Sequence, residues 1–136
     1  MLPLRLSFLA TAHAQLEQFD DARRCMGEAL RATQATKEEW FEAEIYRMAG
    51  EIARASPDAD NAKALAYFER ALAVARSQRA KSLELRAAMS IARLLRDQGK
   101  REESRTVLAQ VYAGFTEGFG TADLKNAQAL LDALAA

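Results

Sequence analysis

The sequence predicts an all-α fold in which three helical hairpins stack in a row and a last helix closes the stack. The first observation behind this prediction is a pattern of small and large residues that recurs along the chain. Its copies are Ala22-x3-Met26-x2-Ala29-Leu30, Ala64-x3-Phe68-x2-Ala71-Leu72 and the weaker Ser104-x3-Leu108-x2-Val111-Tyr112. They start 42 and then 40 residues apart. Units that recur every ~20–50 residues are typical of solenoids, where each unit buries its apolar face against its neighbours. The second observation is the composition, since 50% of the residues are hydrophobic and only two prolines and six glycines are available for turns.

The length and charge of the chain narrow its class further. A chain of 136 residues fits one domain with a narrow hydrophobic core. The net charge is zero, so the whole chain has no electrostatic attraction to nucleic acid or to an anionic membrane. Its apolar runs are shorter than the ~18 residues that a membrane-spanning helix needs. The single cysteine, Cys25, excludes an internal disulfide, and its place on a predicted helix favours a buried thiol over a reactive one.

The first residues, MLPLRLSFLATAHA, resemble a secretory signal in which residues 12–14 stand for a cleavage site. Two features favour a helix of the fold instead. The only basic residue, Arg5, lies inside the apolar stretch, and a stripe of helical spacing continues past the supposed cleavage point. That stripe comprises Leu2, Leu6, Leu9, His13 and Leu16. We therefore predict a first helix at about Pro3 to Glu17 and a cytoplasmic protein.

Turn and cap residues place the next three helices. A turn at residues 18–21 leads to a second helix at about residues 21–33, with Asp20 as its N-cap. The third helix starts near Lys37 and ends before Pro57, because the residue ahead of a proline resists helical geometry. The turn at residues 58–61 offers several N-caps to a fourth helix at about residues 62–77.

The last three helices are bounded in the same way. A fifth helix at about residues 81–98 ends in a turn with Gly99, and a sixth covers about residues 101–115. Glycines between residues 114 and 120 form a hinge, after which Thr121 or Asp123 caps a seventh helix. No later repeat covers this helix, so we expect it to close the stack. The predicted organisation is one domain, 1–136, with hairpins at about 3–35, 37–78 and 81–115 and a capping helix at about 121–135.

The chemistry-bearing residues are too few for an active site. His13 and Cys25 have no neighbouring metal ligands, and neither a phosphate-binding loop nor a nucleophile elbow is present. The acidic pairs 20–21, 38–39 and 102–103 all fall at predicted helix starts, where negative charge complements the helix dipole. The sequence therefore predicts no catalytic, cofactor-binding or metal-binding residue, and the chain is not expected to be an enzyme.

The recurring pattern resembles tetratricopeptide repeats, although its period exceeds the standard ~34 residues. The matching residues are Leu9, Ala10, Phe19, Ala22, Met26 and Ala29, then Tyr46, Gly50, Ala64, Phe68 and Ala71, then Ile91, Ala92, Gly99, Leu108 and Val111. Serine replaces the expected alanine at Ser104. The resemblance implies a right-handed solenoid that binds protein segments in a groove lined by the first helix of each hairpin.

A closer resemblance covers most of the chain. The segments that carry it are 40–44, 82–88, 95–99, 115–119 and 123–125. They look like the C-terminal repeat regions of large bacterial proteins in which a class III adenylate/guanylate cyclase, or a DNA-binding transcriptional activator domain, precedes a predicted signalling ATPase. Gly120 and Ala122 depart from that pattern. The resemblance implies a regulatory fragment or a stand-alone relative, and no catalytic residue is carried over, because the cyclase and ATPase motifs are absent from this sequence.

Aligning the repeats predicts which side chains line the groove. Helices three and five each carry a stripe with the spacing +3, +4, +3, which places its members on one helix face. The stripes are Glu44, Arg47, Glu51 and Arg54, then Arg86, Met89, Arg93 and Arg96, with Ser7, Thr11, Ala14 and Gln15 contributed by helix one. Two interpretations stay open. The glutamates pair with arginines on the same helix and on helix five, or Arg86, Arg93 and Arg96 form a basic wall that binds the carboxylates of an acidic segment.

The functional prediction is a non-catalytic module that binds a protein or peptide segment, which another domain of the same polypeptide could supply. The first alternative is self-association through the open N-terminal end, which exposes Leu2, Leu4, Leu6 and Phe8. The second is a helical regulatory arm of a transcriptional activator. Nucleic-acid binding is disfavoured, because the arginines lack interleaved exposed aromatics, and neither a membrane partner nor a cofactor is expected.

Overall fold

The computed structural model describes residues 6, 8–12, 18–36, 42–55, 60–116 and 120–135, and the regular structure within them is helical. We label as α1 the segment that holds the helical residues 8–12. The helices that follow are α2 (Phe19–Thr36), α3 (Glu42–Ala55), α4 (Asn61–Ser77), α5 (Lys81–Asp97), α6 (Arg101–Tyr112) and α7 (Ala122–Ala135). The predicted all-α class is confirmed.

The helices form two layers of a solenoid. Each helix from α2 onward packs against the next one in the chain, most closely within α3–α4, α4–α5 and α5–α6. In addition, α5 contacts both α3 and α7, its counterparts in the neighbouring units. The helices α3, α5 and α7 therefore form an inner layer, and α2, α4 and α6 stand on the outer side. The seventh helix packs on the array as predicted, since its Leu124, Leu130 and Leu134 are buried in the core.

The recurring pattern forms the core because its small residues let helices approach closely. Ala22, Ala64 and Ser104 occupy the same position in successive units, and all three are fully buried. The serine is tolerated there because its Oγ donates a hydrogen bond to the carbonyl of Ala92 at 2.6 Å. Gly50 serves the same purpose on α3, where a Cβ atom would lie 2.4 Å from the ring of Phe68 on α4.

The buried residues fall into two clusters. One joins α1, α2 and α3 and includes Cys25, Met26 and Ile45; the other joins α4 to α7 around Phe68 and Leu108. The buried position of Cys25 agrees with the structural thiol that the sequence favours. Within the described part of the chain, no helix is long and apolar enough to cross a membrane.

Local signals set several helix ends. The Asp60 carboxylate accepts a hydrogen bond from the N–H of Lys63 at 3.0 Å and caps α4, and the Thr121 hydroxyl accepts one from the N–H of Leu124 at 3.4 Å and caps α7. Gly99 follows α5 with a φ of 79°, the left-handed conformation that glycine tolerates best. The predicted turns at these places are therefore confirmed.

Three predicted boundaries are wrong, and some predictions lie outside the described residues. Helix α2 continues to Thr36 and does not end at residue 33. Helix α2 starts at Phe19, so Asp20 is inside its first turn, where the carboxylate accepts a hydrogen bond from Arg23 at 2.8 Å instead of capping the helix. Helix α6 ends at Tyr112 and not at residue 115, because the N–H groups of Gly114 and Phe115 turn back to carbonyls three residues earlier. The predictions for residues 1–5, 13–17, 37–41, 56–59 and 117–119 lie outside the described part.

Candidate protein-binding groove

An open groove lies between the inner helices α3 and α5 at the side of α1. We call it the inner groove, and its volume is about 510 Å³. Its lining residues are Thr11 from α1, Arg47, Met48, Glu51, Ile52 and Ala55 from α3, and Arg93 from α5. The groove combines an apolar floor with charged walls, which is the combination that binds a peptide side chain together with a polar anchor.

Three members of the predicted stripes line this groove, namely Arg47, Glu51 and Arg93, and so does Thr11, which was predicted from the first helix. Ser7, Ala14 and Gln15 lie outside the described side chains. The alignment missed Met48, Ile52 and Ala55, although each lies one residue beside a stripe position. An apolar residue next to a charged stripe is the sequence signal that identifies such a floor.

Glu44 does not line an open surface, contrary to the prediction. Its side chain is buried, with the residue 7% exposed, and its Oε1 accepts a hydrogen bond from the Nε of Arg47 on the same helix at 2.6 Å. Arg86 of α5 approaches the other carboxylate oxygen to 3.7 Å. A buried carboxylate is stable only when it is paired, so Glu44 holds α3 against α5.

Arg86 links three consecutive inner helices. Besides its approach to Glu44 of α3, its Nε donates a hydrogen bond to the carboxylate of Asp123 on α7 at 2.9 Å. This hydrogen bond raises the pKa of the Arg86 guanidinium, an effect that burial opposes and the nearby negative charges reinforce. The Arg86 guanidinium is therefore already paired within the array, where it links α7 to α5 and α3.

Arg54 and Arg96 share a second carboxylate, that of Asp97. Arg54 of α3 donates a hydrogen bond to Asp97, and the Nε of Arg96 donates to the same carboxylate at 3.2 Å. Asp97 is the last residue of α5, so this cluster ties the ends of α3 and α5 together. The first interpretation, in which the stripe charges are paired, therefore describes Glu44, Arg54, Arg86 and Arg96. Two of the acids in these pairs, Asp97 and Asp123, are not stripe residues.

Met89 is not a groove residue, and this part of the prediction is wrong. Its side chain is 4% exposed and belongs to the core cluster of α4 to α7. The reason is the central place of α5, which α3, α4, α6 and α7 all contact. A helix covered on so many sides buries positions that are open on α3.

Arg93 is the stripe arginine that keeps an unpaired charge. It is half-buried at the groove wall, and it makes no hydrogen bond or ion pair with any residue that the structure describes. The same holds for Glu51 of α3, which lines the same groove. A half-buried guanidinium without a partner gains from a ligand carboxylate, which it can hold with two parallel hydrogen bonds.

The described residues also bear on two other kinds of chemistry, metal binding and nucleophilic catalysis. No group of three or more histidine, cysteine, aspartate or glutamate side chains among them is arranged to hold a metal ion. The one cysteine is buried, and the arrangement around Arg93 contains no nucleophile paired with a base. Within the described part of the chain, the groove offers recognition through one unpaired cation, Arg93, one unpaired anion, Glu51, and an apolar floor.

Comparison with known proteins adds one finding. No curated protein and no solved structure matches the chain. A family model described as tetratricopeptide repeat matches residues 5–36 and 85–123, which together make up just over half of the sequence. The first match covers α1 and α2, and the second covers most of α5, all of α6 and the first residues of α7. These are the helices that carry the first and third copies of the recurring pattern, and the chain therefore belongs to the tetratricopeptide-repeat family.

Proposed function

We propose that this chain is a non-catalytic docking module that holds a segment of a partner protein in its inner groove. Tetratricopeptide repeats generally mediate protein–protein interaction. The observation that carries the proposal is Arg93, a half-buried cation without a described partner beside the apolar side chains of Met48 and Ile52. Such a pair of features selects a ligand by charge and by shape together.

The chemistry of the groove points to an acidic segment with an adjacent aliphatic side chain. The ligand's carboxylate pairs with Arg93, and its aliphatic side chain covers Met48 and Ile52. Glu51 accepts hydrogen bonds from ligand N–H groups and repels a second acid placed on its side. Because the other stripe arginines already have carboxylate partners, the groove presents one guanidinium that is free among the described residues, and it accepts a single glutamate or aspartate beside it.

The test is a fluorescence-anisotropy titration of the full chain with a labelled synthetic peptide in which a glutamate precedes a leucine. Arg93→Glu is expected to weaken binding about tenfold or more, since it replaces an attractive pair with a repulsive one. Arg93→Lys retains the charge but loses the planar fork, and it should weaken binding less.

The matched control is Arg105→Glu, which reverses an exposed arginine on the outer helix α6. It should leave the affinity unchanged. Equal effects of the two reversals would show that only the overall charge matters, and unchanged binding by Arg93→Glu would remove the groove from the proposal. A peptide with serine in place of leucine checks the apolar floor.

Self-association is a second candidate function, favoured by two large apolar residues on the surface of α1. Phe8 is 56% exposed and Leu9 is 48% exposed, whereas the other large apolar side chains that the structure describes are buried or half-buried. Light scattering over a concentration series tests this function, with Phe8→Ser as the variant expected to lower the apparent mass. A monomer at high concentration contradicts it.

The larger context is proposed from the sequence resemblance alone. We infer a cytoplasmic regulatory region of a bacterial signalling protein with a nucleotide-cyclase or transcriptional-activator domain, in which the groove holds another domain of the same polypeptide. The genomic reading frame around the coding sequence tests this inference. A cyclase, winged-helix or nucleotide-binding domain in that frame supports it, and a frame without any such domain counts against it.

A further inference from the structure

The outer side of the solenoid carries two clefts at equivalent positions of successive repeats. The first outer cleft, of about 350 Å³, lies among α2, α3 and α4, and the second outer cleft, of about 570 Å³, lies among α4, α5 and α6. One wall of the first cleft contains Arg23, Gly27 and Leu30. The positions 42 residues later, Leu65, Glu69 and Leu72, form the corresponding wall of the second cleft. The two clefts are therefore copies of one architectural feature.

At two equivalent positions on the second wall of each cleft, one residue is acidic and one is basic, and their order is reversed between the two clefts. In the first cleft the second wall carries Asp60, the N-cap of α4, and Lys63 of α4, and 40 residues later the second cleft has Lys100 and Glu103. Glu69 adds a carboxylate where the first cleft has a glycine. The first cleft is thus weakly basic and the second is acidic, although the helices that form them are related by the repeat.

The charges also differ in whether they already have partners. In the first cleft Arg23 pairs with Asp20 at 2.8 Å, and the Lys63 ammonium lies 5.9 Å from the centre of the Tyr67 ring. In the second cleft Glu69, Glu102 and Glu103 are exposed, and none of the three carboxylates has an ion-pair partner among the described residues. The second cleft is therefore the copy with unused charge.

Helix capping explains only part of this acidic wall. Glu102 and Glu103 lie in the first turn of α6, where they complement the helix dipole. Glu69 lies in the interior of α4, on the facing wall, where no such benefit exists. Between the walls Leu65 and Val107 are half-buried apolar side chains, so the carboxylates border a partly open apolar floor.

We propose that the second outer cleft is a separate docking site for a basic amphipathic segment of a partner protein. An aliphatic side chain of the segment enters between Leu65 and Val107, and lysine or arginine on either side reaches Glu69 on α4 and Glu103 on α6. The charge of the cleft selects the occupant, because a basic segment pairs with both walls and an acidic one is repelled by both. The module therefore binds an acidic segment on its inner side and a basic one on its outer side.

The probe for this site is a labelled synthetic peptide with a leucine between arginines, titrated against the full chain by fluorescence anisotropy. Glu69→Lys and Glu103→Lys are each expected to weaken binding about tenfold, and the affinity should fall with added salt. The matched control is Glu28→Lys, an exposed glutamate of the outer helix α2 that lines neither cleft. Circular dichroism confirms that each variant keeps its helical content.

Several results would overturn the proposal. These are an affinity that Glu69→Lys leaves unchanged, an equal loss on Glu28→Lys, and binding that survives replacement of the peptide's leucine by serine. Dimerisation that Glu69→Lys abolishes, without peptide binding, would instead assign the cleft to a second copy of the chain. Arg93→Glu should leave this affinity unchanged, so failure here and failure of the inner groove are distinguishable.

Discussion

The turn between α4 and α5 holds Arg79 in a left-handed backbone conformation, with a φ of 55°. The equivalent turn between α5 and α6 places Gly99 there, with a φ of 79°. Both turns close alike, since the N–H of Ala80 donates to the Ala75 carbonyl at 2.9 Å and that of Lys100 to the Leu95 carbonyl at 2.8 Å. This closure favours glycine at the left-handed position. We therefore expect Arg79→Gly to stabilise the protein.

The magnitude follows from two opposing contributions. A left-handed conformation costs a residue with a Cβ atom about 1–2 kcal/mol. Glycine also makes the unfolded chain more flexible, which lowers the free energy of unfolding by about 0.4–1 kcal/mol and offsets part of the gain. The Arg79 side chain is exposed and makes no ion pair with a described residue, so its removal costs little else. The free energy of unfolding should rise by about 0.5–1 kcal/mol, which corresponds to about 2–4 °C in Tm.

Urea unfolding followed by circular dichroism measures this change. The expected result is a higher midpoint with an unchanged slope, and the reciprocal variant Gly99→Arg should lower the midpoint by a similar amount. Arg79→Ala is the control for charge, since it removes the guanidinium but keeps the Cβ atom and should leave stability nearly unchanged. If Arg79→Ala stabilises as much as Arg79→Gly, the backbone argument is refuted and charge is the cause.

Three further predictions concern packing and the closing helix. Gly50→Ala should destabilise by about 1–3 kcal/mol in urea unfolding, because its Cβ would lie 2.4 Å from the buried Phe68 ring; the control Gly27→Ala, where the nearest atom is 3.4 Å away, should stabilise. Arg101→Ala should cost about 1 kcal/mol and increase amide exchange at the end of α7, since Arg101 donates to the carbonyls of Leu134 and Ala133 at 2.7 and 2.6 Å; unchanged exchange there would contradict this role. Asp123→Asn should destabilise by less than ~1 kcal/mol, because the pair with Arg86 is partly exposed; a loss that persists at high salt would show that charge is not its source.

Most of the fold was predictable because it rests on short-range interactions. Small residues at Ala22, Ala64 and Ser104 predict close helix contacts, and all three are buried. Thr121 and Gly99 predict a helix start and a helix end because they act within a few residues of their own backbone. Two of the boundaries that failed, at Asp20 and after Tyr112, are those where a side chain or a turn had a competing local hydrogen bond.

The candidate site was predictable only in part, since helix periodicity gives the face of a residue but not its partner. The stripe residues Arg47, Glu51 and Arg93 line one groove, and their role in binding stays a prediction. They could not show that Met89 is covered by neighbouring helices, nor that Asp123 reaches Arg86. Both outcomes depend on helices that meet only after the chain has folded.

The sequence by itself determined the helical class, the repeat, most helix ends and the small-residue core, because a helix and its caps are set by contacts within about four residues. The tertiary structure decided which charges are free. Arg54 meets Asp97 across 43 positions of the chain and Arg86 meets Asp123 across 37, whereas Arg93 meets no described carboxylate. Such pairing depends on how the repeats stack, and the stacking also leaves the acidic outer cleft between α4 and α6. The physical reason is that Coulomb and hydrogen-bond energies depend on distances that periodicity along one helix does not contain.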